Sequence, residues 1–473
     1  MTRDEIQKSS LLAIENNEFN GTIVLSTGTG KTKVGYDSIN KKKPKKVLIT
    51  YPRLPLLASW EKEKKWLKFS DVEIDFMSIQ SAYGLSVEKL SEYNYAIIDE
   101  IHTSVTEGYG NVIISLRNLE VPVLGLTATP DLEQELKEQF YDQYVPIIYE
   151  FKDSAKEGIV NKRVNHVLLY DLDDKFGLTV TTKTGVREVG EKGHYEYLQY
   201  LIDTNRRDIE LYYYNSVKRR ANEIVKRGGG KNEYPYMDTL YHVLEDDLYT
   251  FKNRYWELMK AKKLPYNLYA DLRFIYGKDY VKFGLKAFQA ASTAPEEIRS
   301  KFYKYISAVK RRKSMLYNLA SSKLYTLKLK KEILKNENNK VLIFSQRVDR
   351  AKELSEFAVK GGTNKSEKEL ISSYINDFDN GEIRELSSVD VLSLGLNLVG
   401  ANNAIMESIN SSNTKMTQKG GRLDRLPVDE TAQVYWIVPK NTQAQKWFET
   451  ATESWDQEFI YYDTIEELLK GVT

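Results

Sequence analysis

At 473 residues the chain is longer than one hydrophobic core organises, and about two to four domains are expected. Its 41% hydrophobic and 29% charged composition is that of a globular protein, and no apolar run approaches the ~20 residues that cross a bilayer. With no cysteine and four scattered histidines, disulfides, thiolate metal sites and a zinc centre drop out.

The net charge of +2 hides an asymmetry. Residues 171–320 hold 28 Lys/Arg against 20 Asp/Glu, a net of +8, which leaves −6 for the rest. A basic middle is either a solvated helical surface or a face for a polyanion. The opening residues Met1-Thr2-Arg3-Asp4-Glu5 lack the apolar core of a secretory signal, so the expected compartment is the cytoplasm, or a host's cytoplasm for a viral protein.

From Gly21 to about Phe151, short β-rich runs at 22–25, 46–50, 72–77, 95–98, 121–126 and 145–149 alternate with helical or loop text. Val47-Leu48-Ile49 and Ala96-Ile97-Ile98 are wholly apolar, as strands covered on both faces must be. The expected fold is a doubly wound parallel α/β sheet, in which ligands sit beyond the carboxyl ends of the strands.

The chemistry-bearing residues follow those ends. Thr22-Ile23-Val24-Leu25 runs into Ser26-Thr27-Gly28-Thr29-Gly30-Lys31-Thr32 and a helix start. That is a phosphate-binding loop: Thr27, Gly28, Thr29 and Gly30 turn the backbone N–H groups onto a phosphate, Lys31 adds a point charge, and Thr32 offers a hydroxyl to magnesium. The second strand ends at Thr50-Tyr51-Pro52-Arg53-Leu54, before a helix with Trp60 and Trp66. The fourth ends in Asp99-Glu100-Ile101-His102. Beside a phosphate loop, Asp99 can hold magnesium on the β/γ-phosphates while Glu100 polarises the attacking water. The fifth ends at Leu126-Thr127-Ala128-Thr129-Pro130.

Further along, Leu178 to Val189 alternates around Lys183-Thr184-Gly185, which predicts a β-hairpin, either an ordinary solvent hairpin or a wedge against a duplex. Tyr195 to about Leu319 is helical text rich in tyrosine and basic residues, including Leu211-Tyr212-Tyr213-Tyr214 and Val309-Lys310-Arg311-Arg312-Lys313. Rings can stack on bases or support a core, and guanidiniums can pair with phosphates. A helix from Ser321 and a buried strand, Val341-Leu342-Ile343-Phe344, open a second α/β unit. In Gln418-Lys419-Gly420-Gly421-Arg422-Leu423-Asp424-Arg425, the two arginines three apart share a helix face and can point into one cleft.

In this order the motifs resemble those of the superfamily 2 helicases, whose motor is a pair of RecA-like domains with ATP between them. The resemblance makes the phosphate loop motif I, Asp99 to His102 a DExH form of motif II, and Thr127 and Thr129 the coupling motif III. It implies that Gln7 reads adenine, although an exposed helix residue is an equal alternative. It places Ser393, Gly395 and Asn397 in motif V, on the nucleic acid and the ATP cleft. Motif VI follows, with Gln418 coupling, Arg425 as arginine finger and Arg422 its partner. Arg53, Gln80, Ser81 and Ser393 are implied on the nucleic-acid track.

Pro52, Leu56 and Trp60 resemble the XPB-like branch, which includes phage UvsW-type branch-migration helicases. Ser59 stands where that branch often has glutamine. The expected architecture is a first RecA-like domain over 1–160, a hairpin and helical basic insertion over 161–320 that is a candidate for nucleic-acid binding and that the resemblance explains only as an insertion, and a second RecA-like domain over 321–473. The implied activity is ATP- and Mg2+-dependent translocation on forked or branched DNA, in repair, recombination or replication, with no membrane partner. A motor subunit of a restriction or defence complex, and an ATPase switch that senses nucleic acid, are the alternatives.

Overall fold

The computed structural model describes residues 2–472 except 53, 106–107, 131, 133–134, 153–157, 183–184, 227–294, 361–364, 390–397, 399, 411–422, 424–425, 454 and 456. The chain divides into two compact units. One is 1–172 with 321–473, and the other is 173–320.

The first unit carries two parallel sheets. The first sheet is built from β1 (Gly21–Leu25), β2 (Lys46–Tyr51), β3 (Glu73–Ser78), β4 (Tyr95–Asp99), β5 (Val123–Thr127) and β6 (Ile147–Phe151) in the order β3-β2-β4-β5-β1-β6. Every ladder in it is parallel. β1, β4 and β5 are buried along their whole length, so both faces are covered, as the unbroken apolar runs require. Helix α1 (Arg3–Asn16) precedes β1, and its Thr2–Glu5 capping box satisfies its first N–H groups. Helix α2 (Lys31–Lys42) follows the turn after β1, and α3 (Leu54–Lys62) follows β2.

The second sheet has seven strands. β7 is Lys162–Tyr170, β10 Val341–Phe344, β11 Ala358–Val359, β12 Glu385–Ser388, β13 Asn403–Met406, β14 Thr431–Pro439 and β15 Phe459–Tyr462. Their order is β11-β12-β10-β13-β14-β7-β15, again wholly parallel. Trp436, Phe344 and Phe378 are among its largest buried side chains.

This sheet changes one expectation. Residues 162–170 were grouped with the insertion, yet β7 lies in register with β14 from Lys162 opposite Thr431 to Tyr170 opposite Pro439. Val167 joins the second core, and Trp436 Nε1 donates to Asn165 Oδ1 at 3.2 Å. A strand with apolar side chains to bury pairs wherever a ladder is open, however distant in sequence.

In the other unit the expected hairpin is present: β8 (Gly177–Thr182) pairs antiparallel with β9 (Gly185–Gly190). A 36-residue helix, Glu191–Lys226, packs on the helix Glu296–Leu316. Lys301 pairs with Asp208 at 2.6 Å, and Arg312 donates to Gln199, so the two helices run antiparallel.

Candidate nucleotide site

The order β4-β5-β1 makes three motif-bearing strands neighbours, and register aligns their ends. Val24 lies opposite Thr127, and Leu126 opposite Asp99. The phosphate loop, the acidic pair and the Thr127 turn therefore leave the same carboxyl edge side by side, where such sheets place ligands.

The loop itself is a backbone device. Gly28 and Gly30 hold φ of +80° and +95°, values costly for side chains with a Cβ, and Gly30 is the residue before the first turn of α2. A Cβ on Gly30 would also collide with Nε2 of Gln7. Thr29 Oγ1 donates to Ser26 O at 2.7 Å, closing the turn, and Lys31 Nζ donates to Leu25 O at 3.2 Å. The N-terminal end of α2 and the Lys31 charge favour an anion here.

Gln7, 5% exposed, reaches from α1 to donate Nε2 to Thr29 O at 2.9 Å. Its Oε1 is buried without a hydrogen bond among the described residues. An orphaned buried acceptor costs free energy unless a donor, such as a ligand amino group, meets it.

Asp99 closes β4 and is 5% exposed. Its Oδ1 accepts from Glu100 N at 3.0 Å and its Oδ2 from the Trp60 indole N–H at 2.9 Å. Burial, then the neighbouring Glu100 carboxylate, push the Asp99 carboxyl up to about 7, while Trp60 and Lys31 pull it down. A buried carboxylate under this strain is relieved by a cation. Among the described residues no cluster of three or more His, Asp or Glu is present. One buried carboxylate at the strand end fits Mg2+, which takes most of its six ligands from phosphates and water and few from protein. Thr32 lies in the first turn of α2.

Glu100 sits at φ +50°, ψ +50°, left-handed for a non-glycine residue, and starts the 3₁₀ turn Ile101–Thr103. Such strain costs about 1–3 kcal/mol and clusters at functional turns. Its Oε2 is buried without a hydrogen bond among the described residues, and His102 Nδ1 is 3.5 Å away. His102 Nδ1 also lies 2.8 Å from Thr127 Oγ1. That hydroxyl donates to Thr129 O at 2.7 Å and accepts from Thr129 N at 3.1 Å. One chain of contacts thus joins the acidic box to the turn after β5.

Gln80 and Ser81 are exposed on the short helix Ile79–Tyr83 beyond β3, where Ser81 N donates to Ser78 Oγ at 3.1 Å. Arg53, Ser393, Gly395, Asn397, Gln418, Arg422 and Arg425 lie outside the described residues. Of the stretch around the last two arginines, Leu423 is described and fully buried.

Residues 2–72 match the family model described as type III restriction enzyme, res subunit, and residues 325–426 match helicase conserved C-terminal domain. No match was found among curated protein sequences. Two structures of S. cerevisiae Dbp5 bound to RNA and ADP BeF3, one an L327V variant, are similar to the chain with a TM-score of 0.52. They are 10–11% identical and are aligned over 99% of this chain and 93% of theirs, a likeness of fold. The Pyrococcus furiosus Hef helicase domain is aligned over 95% of this chain and 99% of its own at 16% identity and a TM-score of 0.43. The chain is an ATP-hydrolysing enzyme with helicase-type similarity over these two segments. Its two parallel-sheet domains are RecA-like.

The Trp60 contact to Asp99 and the His102 contact to Thr127 were not readable in the sequence. A buried indole N–H needs a partner, which marks Trp60 for attention but does not name Asp99.

Proposed function

We propose that the protein is an ATP-driven DNA translocase or helicase acting on forked or branched duplex. The observation that carries the reading is the alignment of the phosphate loop, Asp99-Glu100 and Thr127 along one edge of the first sheet. In this reading the Gly28 to Lys31 backbone cradles the phosphates of ATP and Gln7 reads the adenine. Thr32 and Asp99 hold Mg2+, which neutralises charge building on the transferring phosphoryl. Glu100 orients the attacking water. Arg422 and Arg425 answer the γ-phosphate, as the motif VI resemblance implies, and the His102–Thr127–Thr129 chain couples that event to the nucleic-acid track of Arg53, Gln80, Ser81 and Ser393.

The basic insertion supports a polyanionic partner. On the helix Glu296–Leu316, the exposed Arg299, Tyr303, Lys304, Lys310 and Arg311 share one face at the 3.6-residue period, while Lys301 and Arg312 are engaged by the partner helix. Beyond Glu297 that helix has no acidic residue. Such a face grips phosphates and is salt-dependent, with a ring available for stacking.

The match of 2–72 to a restriction-enzyme subunit favours a second reading, a motor that pumps duplex inside a restriction or defence complex. ATPase stimulation compared across single-stranded DNA, duplex, fork, four-way junction and RNA tests the first reading, and preference for RNA overturns its choice of substrate. Strand displacement by the purified chain supports a helicase; triplex displacement without strand separation supports the pump. Triplex left in place despite ATP hydrolysis supports a nucleic-acid-sensing switch. Exchanging Lys310→Glu and Arg311→Glu together is expected to lower nucleic-acid affinity and reduce the log–log salt slope by about 2, leaving basal hydrolysis intact. An unchanged affinity would return that face to plain solvation.

A further inference from the structure

Trp60 lies on α3 with its ring fully buried, and it touches two neighbouring elements, β4 and α2. Its indole N–H donates to Asp99 Oδ2 at 2.9 Å. The ring fills the space over Gly35 in α2, where a Cβ would come within 2.5 Å of it. Tyr36, also on α2, meets the indole edge-on at 5.2 Å and donates its hydroxyl to Trp60 O at 2.6 Å. The side chain is therefore fixed by α2, the helix that leaves the phosphate loop, before it reaches the carboxylate.

A carboxylate turns easily about its last torsion, whose profile is broad and two-fold. Asp99 has one N–H on each oxygen, Glu100 N on Oδ1 and the indole on Oδ2. Two donors on different oxygens fix its plane and leave the remaining lone pairs for a metal ion or a metal-bound water. A phenyl ring at position 60 would keep part of the packing, with some loss of volume, but could not hold Oδ2. The N–H is thus the part of Trp60 that core packing does not explain.

We infer that Trp60 is a positioning residue, holding Asp99 in its magnesium-binding orientation and tying that orientation to the placement of α2 and α3. The inference rests on the proposed reading of Asp99 as a magnesium holder.

The test uses the full chain, a fluorescent ADP and Mg2+, with Trp60→Phe, Asp99→Asn and the double variant. Trp60→Phe is expected to weaken Mg2+ in the nucleotide complex by about 10-fold or more. ADP binding in EDTA should stay within about two-fold, since only the metal arm uses the N–H. In the Asp99→Asn background Trp60→Phe should add no further loss of Mg2+ affinity. A folded Trp60→Phe protein with normal Mg2+ affinity overturns the inference, as does equal weakening with and without Mg2+, which marks general damage to the site. If Asp99→Asn lowers Mg2+ affinity and Trp60→Phe does not, the inference fails alone; if Asp99→Asn has no effect, the metal reading fails with it. Should Trp60→Phe not fold, the indole N–H resonances of the unsubstituted and Asp99→Asn proteins decide. One indole signal shifted by both Asp99→Asn and Mg2+ with ADP, but not by ADP in EDTA, supports the assignment; no such signal overturns it.

Discussion

Each parallel sheet ends a central strand in a buried carboxylate, and the two face different partners. Glu407, just past β13, is 1% exposed and faces the guanidinium of Arg350, itself 5% exposed, with Nε 3.7 Å from Oε1. Burial pushes its carboxyl up, and Arg350, Ser408 and Ser345 draw it back down. Asp99, at the end of β4, instead accepts from two uncharged N–H groups, with the Lys31 of the phosphate loop as the cation whose field reaches it. Glu407 has a counter-ion buried beside it, while neither of its oxygens has a hydrogen bond among the described residues. A carboxylate that must accept a mobile cation is oriented by neutral donors and left electrostatically unfinished.

The sharpest way to break this comparison is to remove chemistry at the first sheet alone. Lys31→Ala and Glu100→Gln should each lower nucleic-acid-stimulated turnover by about 100-fold or more, with Glu100→Gln still binding ATP. Normal steady-state hydrolysis in either would remove the site from this edge. Next comes the contrast itself. Glu407→Ala leaves Arg350 buried beside an empty place and should cost about 3–5 kcal/mol of stability in denaturant titration, with turnover per folded molecule largely kept. Asp99→Asn should do the reverse, losing Mg2+-dependent hydrolysis while stability changes by no more than about 1 kcal/mol. Equal behaviour of the two variants would erase the distinction.

The smallest effect sharpens the second sheet. His166 stacks on Tyr435 at 4.9 Å, its Nε2 lies 2.8 Å from Gln433 Oε1 and its Nδ1 2.9 Å from the Tyr462 hydroxyl. Gln433 Oε1 can only accept, so Nε2 carries the proton and Nδ1 accepts from Tyr462. Burial lowers the His166 pKa below 6.5, and the Gln433 contact opposes that shift. Below pH 6.5 the unfolded chain then binds the extra proton more readily than the fold. The His166 contribution is fully present above that pH and is lost as pH falls through the folded value. Thermal unfolding should therefore drop between pH 7.5 and 5.5, and His166→Gln should flatten that part of the profile. An unaltered profile would mean that folding leaves the His166 pKa where it is in the unfolded chain.

Sequence alone was enough for the strands of the first sheet, because parallel strands buried on both faces must be written as unbroken apolar runs. It was enough for the Gly28–Gly30 turn, since left-handed backbone selects glycine, and for the hairpin around Gly185, since half-exposed strands alternate. What it could not determine was adjacency. Nothing local in Lys162–Tyr170 says that it will pair with Thr431–Pro439, and nothing in the helix after Pro52 says that Trp60 will turn its N–H onto Asp99. Local preference comes from steric and burial rules acting within a few residues, whereas ladders and buried hydrogen bonds are chosen by which unsatisfied groups the folded chain brings together.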